Sequence, residues 1–212
     1  DAIDKIAAAP STLVYTLAWV PPFKGTRPHH SNRNNTFITH QGETITCKIR
    51  LLDTVEATAA LVKRIAATGV RAIAIHARYV PQRPREPAHL HLLKQVVDLV
   101  KDDISIPIIA NGDVFTCEDI AKVKDATGCS SVMIARGAMW NASIFNKNLQ
   151  MLSQWQVGKL FLERAKKYNL APQGIKYIAM KMFEEHSKSK LFLALSAAKT
   201  TAEFECVVFL LL

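Results

Sequence analysis

Two short segments carry residue types suited to gripping an anion. Residues 108–113 read Ile-Ile-Ala-Asn-Gly-Asp, and residues 132–137 read Val-Met-Ile-Ala-Arg-Gly. Each begins as an apolar run of strand type and ends in polar residues beside a glycine. Glycine lets the backbone approach a ligand closely, amides donate hydrogen bonds, and arginine offers a planar cationic fork. In a parallel β/α barrel, the loops after the last two strands commonly build a phosphate site. The pair therefore suits a phosphorylated cofactor. Taken singly, Asn-Gly and Gly-Asp are ordinary turn dipeptides; at consecutive strand ends they are more specific.

Two earlier strand patterns add cations and a histidine. Lys48 and Arg50 stand two apart in an apolar segment, so they share one face. An ammonium there needs a partner, because burying it alone is costly. It either points into a barrel interior towards an anion or electron-rich ring, or reaches solvent at a sheet edge. His76 closes the next strand pattern, as a hydrogen-bonded structural residue or as a ligand contact. Arg78 and Arg83 follow, the reading being that both lie in the proline-rich loop 79–87. That loop is either a solvated basic segment or a contact for nucleic acid or phosphate.

The elements that must position these residues alternate. Strands are expected at 46–52, 70–76, 106–110 and 131–135, and helices at 54–68, 88–100 and 117–127, with Gly69 and Gly128 as stops. Alternation of this kind argues for βαβ units and a parallel sheet. The strand cores are nearly continuous apolar runs, as expected when helices cover them. Past Trp140 the strand pattern ends, and 151–168, 174–186 and 191–212 read as lysine-bearing helices. Residues 1–14 read as a short helix ending near Pro10, and 15–44 as an irregular stretch rich in proline and asparagine. So long a loop inside a compact domain is uncommon.

Composition bounds the rest. The chain has 212 residues, 49% hydrophobic and 8% aromatic, which fits a globular protein and not a disordered one. Its net charge of +9 favours a polyanionic partner, nucleic acid first and anionic membrane second, unless the basic surface is inert. Cys47, Cys117, Cys129 and Cys206 form no CxxC pair, so neither a disulfide framework nor a metal site is expected, and a reducing compartment is. No apolar run reaches transmembrane length. Ser130, Ser131 and Cys129 make no triad with a histidine at recognisable spacing. The opening Asp-Ala-Ile-Asp-Lys lacks an initiator Met and a signal-peptide pattern, and is read as the start of a fragment.

Taken in order, TCKIRLL, GVRAIAIHAR with Arg83 downstream, IPIIANGDV and CSSVMIARGAMWNASIF resemble the tRNA-dihydrouridine synthases, in particular the eukaryotic tRNA-dihydrouridine(20) branch. The likeness covers residues 44–147 well and 151–198 loosely. It implies an α/β fold, the C-terminal half of a TIM (β/α)8 barrel followed by a small α-helical domain. The division expected is a partial FMN-binding barrel over 1–147, with an irregular insertion at 15–43, and a helical tRNA-binding domain over 148–212. The activity implied is FMN-dependent reduction of uridine to 5,6-dihydrouridine in tRNA, with NADPH as reductant, in the cytoplasm. By motif, Lys48 contacts the flavin ring or ribityl chain, where a cation stabilises the anionic reduced flavin. His76 is a flavin ligand, Asn111, Gly112 and Asp113 line the phosphate and ribityl side, and Ala135 and Arg136 hold the phosphate. Arg78 and Arg83 lie near the substrate mouth, and Lys159, Lys166, Lys167, Lys176 and Lys181 face the tRNA backbone.

Two departures stand out. Ala77 replaces the glycine that family members carry between the strand-end His and Arg. The Asn-x-Gly-Cys-Pro motif that bears the family's general-acid cysteine is absent, and none of the four cysteines takes that role. Residues 15–43 and the apolar tail 204–212 look like products of misprediction or alternative splicing. Four strands make half a barrel, with open edges that invite pairing with another chain. The expectation is a truncated chain that binds FMN weakly or not at all and has no turnover. Two alternatives remain: another FMN-dependent barrel oxidoreductase acting on a small pyrimidine, and a non-catalytic tRNA-binding remnant.

Overall fold

The computed structural model describes residues 14–18, 44–146 and 150–209. Five strands form one sheet: β1 (Val14–Ala18), β2 (Thr44–Leu51), β3 (Ala72–Tyr79), β4 (Ile108–Asn111) and β5 (Ser131–Met133). Their order across the sheet is their order in the chain, and every neighbouring pair is parallel. Helices α1 (Val55–Ala66), α2 (Leu90–Val100) and α3 (Cys117–Thr127) supply the crossovers from β2 to β5. A doubly wound sheet reverses direction at a switch point; this one does not, which is the winding of a barrel. The chain is α/β, part of a TIM (β/α)8 barrel followed in sequence by helices.

Two compact units emerge: Asp1–Gly112 with Val123–Met133, and Asp113–Lys122 with Ile134–Leu212. The first holds the whole sheet. Ile49, Leu51, Ile73, Ile75, Ala77, Ile108 and Ala110 occupy alternate strand positions and are all buried, and α1 and α2 pack on this sheet. On α2, Leu93, Val96, Val97 and Val100 recur at helical spacing and are buried. Each such side chain contributes about 1.5–3 kcal/mol on leaving water. Thr58 makes the joint between β2 and α1. Its hydroxyl donates to the Thr54 carbonyl at 2.8 Å and accepts from the Leu52 N–H at 3.0 Å, while Thr54 caps the helix by accepting from the Ala57 N–H.

The second unit is helical. It carries α4 (Arg136–Trp140), α5 (Gln154–Lys167), α6 (Pro172–Met182), α7 (Lys190–Ala197) and α8 (Thr201–Phe209). Ser153 and Gln156 form a capping box at the start of α5, and Pro172 occupies the first turn of α6, where its missing N–H is harmless. Leu162, Ile175, Ala179, Phe183, Leu195 and Phe204 are central to one apolar core. Trp155 stacks on Phe183 with centroids 4.4 Å apart, and Gly158 leaves room for that ring, since a Cβ there would lie 3.0 Å from Phe183 Cζ.

Several sequence-based boundaries move. Residues 15–18, expected within an irregular stretch, belong to β1, so the described strands number five and not four. The helix expected before Pro10 and the remainder of 15–43 lie outside the described residues. β3 runs through Tyr79, so His76 is inside the strand and Arg78 belongs to it, not to the proline-rich loop. The stretch 191–212 contains two helices, because Thr200 and Glu203 cap a second start: Glu203 accepts from the Lys199 and Thr200 N–H groups, and the Thr200 hydroxyl accepts from the Glu203 N–H.

Thr58→Val keeps the shape and strands the Leu52 N–H. It is expected to destabilise the fold by about 1–3 kcal/mol in urea denaturation, with Thr58→Ser costing less.

Candidate functional site

Residues paired across a parallel ladder point to the same side of the sheet. Lys48 pairs with Ala74, Arg50 with His76, and His76 with Asn111. Lys48, Arg50, His76 and Asn111 therefore share one face, with the small Ala74 between Lys48 and His76. The opposite face is apolar. Among the described residues no carboxylate pairs with Lys48. Burial first, and the charge of Arg50 second, push its pKa below the ordinary lysine value. A half-buried ammonium without a counter-charge fits an anionic or electron-rich ligand.

His76 sits at a break in register. Arg50 pairs with His76, but Leu51 pairs with Tyr79, so Ala77 and Arg78 bulge from the ladder. Arg78 is 2% exposed. Its Nε donates to the Glu86 carbonyl at 2.6 Å, and its Nη1 stands 3.1 Å from His76 Nε2. A guanidinium only donates, so Nε2 accepts and the imidazole proton is on Nδ1. Gly112 closes over this pair with φ +137; a Cβ there would lie 2.8 Å from the Ala88 Cβ and 3.7 Å from both Arg78 Nη1 and His76 Cδ2. Asn111 is buried, and its Nδ2 donates to the Met133 carbonyl at 2.8 Å, tying β4 to β5.

The loop after β3 is closely bonded. Arg50 Nη1 donates to the carbonyls of Tyr79, Val80 and Gln82 at 2.8, 3.1 and 3.0 Å. The Gln82 side chain accepts from the Tyr79 N–H at 2.8 Å and meets His89 Nε2. Arg83, expected at the substrate mouth, is exposed on this loop, and its N–H donates to the Glu86 carboxylate.

The second unit holds the remaining residues of interest. Asp113 adopts a left-handed φ of +50, and its Oδ1 accepts from Arg136 Nη2 at 2.9 Å. The Arg136 guanidinium lies 5.0 Å from the Phe115 ring centroid, and Phe115 stacks on Trp140 at 5.1 Å. Arg136 opens the short helix α4 instead of ending a loop, with exposed Ala135 as its N-cap. Gly137 is required, since a Cβ would run into the Val114 carbonyl oxygen. Asp119 caps α3 by accepting from the Phe115 and Thr116 N–H groups. Burial alone would raise its pKa, but those bonds outweigh it and hold the carboxyl low.

With this geometry in place, the family model for dihydrouridine synthase (Dus) matches residues 40–205. The chain belongs to the dihydrouridine synthase family. It is 42% identical over 121 residues to the tRNA-dihydrouridine(20) synthase of Schizosaccharomyces pombe, covering 57% of this chain and 25% of that one. It is 30% identical over 165 residues to a tRNA-dihydrouridine(20a/20b) synthase-like protein of Homo sapiens, covering 77% and 50%. The chain thus spans a quarter to a half of the length of these relatives. A solved mandelate oxidase structure is similar at a TM-score of 0.35 and 15% identity, covering 80% of this chain and 56% of that one; that is too slight a likeness to bear on function. Among the described residues there is no cluster able to hold a metal and no helix long and apolar enough to cross a membrane.

Within this Dus chain the four cysteines are free thiols, and burial pushes those of Cys47 and Cys129 up, away from thiolate character. Of the five lysines expected to face RNA, Lys176 is part-buried and donates to the Ser196 carbonyl, so it holds the last turn of α7. Lys166 pairs with Glu205 and Lys181 with Glu184, both exposed pairs. Sequence reasoning missed Arg50 as the anchor of the 79–82 turn, and Glu86 as the partner of Arg78 and Arg83. Capping signatures were there to be found beforehand in Thr116-x-x-Asp119, Ser153-x-x-Gln156 and Thr200-x-x-Glu203.

Gly112→Ala is expected to destabilise the fold by about 1–3 kcal/mol in urea denaturation, from φ strain alone. The lowered pKa of Lys48 means that the folded chain holds this proton less tightly than the unfolded chain. Stability from this group should therefore rise as pH climbs from the lowered value towards the ordinary 10.5, and Lys48→Met should abolish that slope while raising stability at neutral pH. Urea midpoints measured across this range check both.

Proposed function

We propose that this chain is part of a tRNA-dihydrouridine synthase that uses FMN and NADPH to reduce uridine in tRNA to 5,6-dihydrouridine. The observation that carries this reading is the Lys48 ammonium, with which no carboxylate among the described residues pairs, on the same sheet face as His76 and Asn111, in a chain matched by the Dus model. FMN, when bound, supplies the electrons that reduce the C5–C6 bond. The donor set fits it. Lys48 offers charge to the ring or ribityl chain. His76, with its Nε2 engaged by Arg78, is a flavin contact of fixed orientation. Asn111 and Gly112 take the ribityl side.

For the phosphate, the assignment is to Asp113, Ala135 and Arg136. The Arg136 guanidinium meets the Asp113 carboxylate and the Phe115 ring, and these contacts set its orientation. Asp113 then acts by positioning Arg136, since a carboxylate repels phosphate. Arg83 serves the substrate mouth, and buried Arg78 acts there through His76. The names of the matched relatives carry tRNA and NAD(P)+, which supports tRNA as substrate and a nicotinamide reductant. Exposed Lys166 and Lys167 supply phosphate contacts in the helical unit.

Reduction of uridine also needs a proton donor. The sequence contains no Asn-x-Gly-Cys-Pro segment, so this chain by itself is proposed to be inactive. The purified chain is expected to carry no stoichiometric flavin by visible absorbance and to produce no dihydrouridine with NADPH and unmodified tRNA. A yellow chain that turns over would overturn the inactive reading. A salt-dependent shift of tRNA, with affinity falling steeply as salt rises, is expected in either case.

A further inference from the structure

The loop 80–87 is more ordered than its composition demands. It carries three prolines and two exposed arginines, Arg83 and Arg85, the Arg85 side chain being 85% exposed. Such a segment would ordinarily sample many conformations. Here its start is fixed by Arg50, whose one nitrogen serves three carbonyls. Its middle is fixed by Glu86, whose carboxylate accepts from the Arg83 N–H and whose carbonyl accepts from Arg78 Nε. Its far end is fixed by the His89 N–H, which donates to the Ala77 carbonyl at 2.6 Å. Arg85 meets the Glu86 carboxylate at 3.8 Å at the surface, a weak pair in water.

A held loop presenting exposed guanidinium groups is built to meet a polyanion, because ordering the loop in advance removes that cost from binding. We propose that the 80–87 loop is a pre-ordered RNA-backbone clamp, in which Arg83 and Arg85 meet phosphates and Arg50 is a positioning residue that holds the loop in shape. This rests on the tRNA reading above and adds to it a second phosphate contact, Arg85, and the group that sets its geometry. Arg50 touches no RNA in this scheme. Its charge is less important than its reach across three carbonyls, which a lysine cannot reproduce.

The test uses the full chain and an unmodified tRNA transcript, with binding measured across a salt series and hydrogen exchange measured without RNA. Arg85→Ala is expected to weaken binding and to reduce the salt slope by about one. Arg50→Lys keeps the charge, so the slope should hold, while affinity falls about two- to tenfold and the amides of Tyr79, Gln82 and Arg83 exchange faster. Both substitutions lie outside the buried apolar core. An Arg85→Ala chain that binds with unchanged slope, or an Arg50→Lys chain with wild-type exchange and affinity, would overturn the clamp and leave the tRNA reading standing. A wild-type chain with no salt-dependent tRNA binding would overturn both.

Discussion

The parallel register of β2, β3 and β4 is the constraint on which the rest depends. A period of two along each strand and the pairings Lys48 with Ala74 and His76 with Asn111 put three side chains of the proposed flavin site on one face. A slip of one residue would turn all of them into the apolar side and bring Ile49, Ile75 and Ala110 out. The buried apolar face therefore holds the polar face in place, although no side chain on the first contacts a ligand. Alanines at 72 and 74 keep the polar face low between the larger groups.

The cations of the sheet unit are stabilised in three different ways. Arg78, wholly buried, is matched by a carbonyl and an imidazole nitrogen, both neutral acceptors. Arg50 is matched by three carbonyls. Lys48 has no such match among the described residues, and burial accordingly weakens its hold on its proton. Desolvation of an unpaired charge is unfavourable, so keeping Lys48 on this face lowers stability there.

The helical unit follows a different logic. Its core is an ordinary apolar cluster, closed by the stack of Trp155 on Phe183 and by capped helix starts at Ser153, Ser189 and Thr200. Its lysines divide by environment. Those near a helix end or a carboxylate are engaged within the protein, as Lys176 is with Ser196. Lys167, the last residue of α5, lies over the Tyr168 ring with its nitrogen 5.4 Å from the centroid.

The alternation of strands and helices, the parallel sheet, the residues of α3 and the family were legible in the sequence, because burial on both sheet faces and helical periodicity are local patterns. The set Lys48, His76, Asn111, Gly112, Asp113, Ala135 and Arg136 is a proposal that rests on the types and order of the motifs. What the sequence could not decide was which groups those side chains meet. Arg78 reads as a loop residue, yet the bulge after His76 carries it into the strand and buries it against Glu86. Arg50 reads as a second cation beside Lys48, yet its partners are carbonyls some 30 residues on. Arg136 reads as a free fork, yet Asp113 and Phe115 hold it. In each case the partner is a backbone carbonyl, a ring face or a carboxylate brought near by strand pairing and loop closure. A carbonyl has no residue-type signature, and a contact between residues far apart in the chain exists only once the tertiary fold has formed.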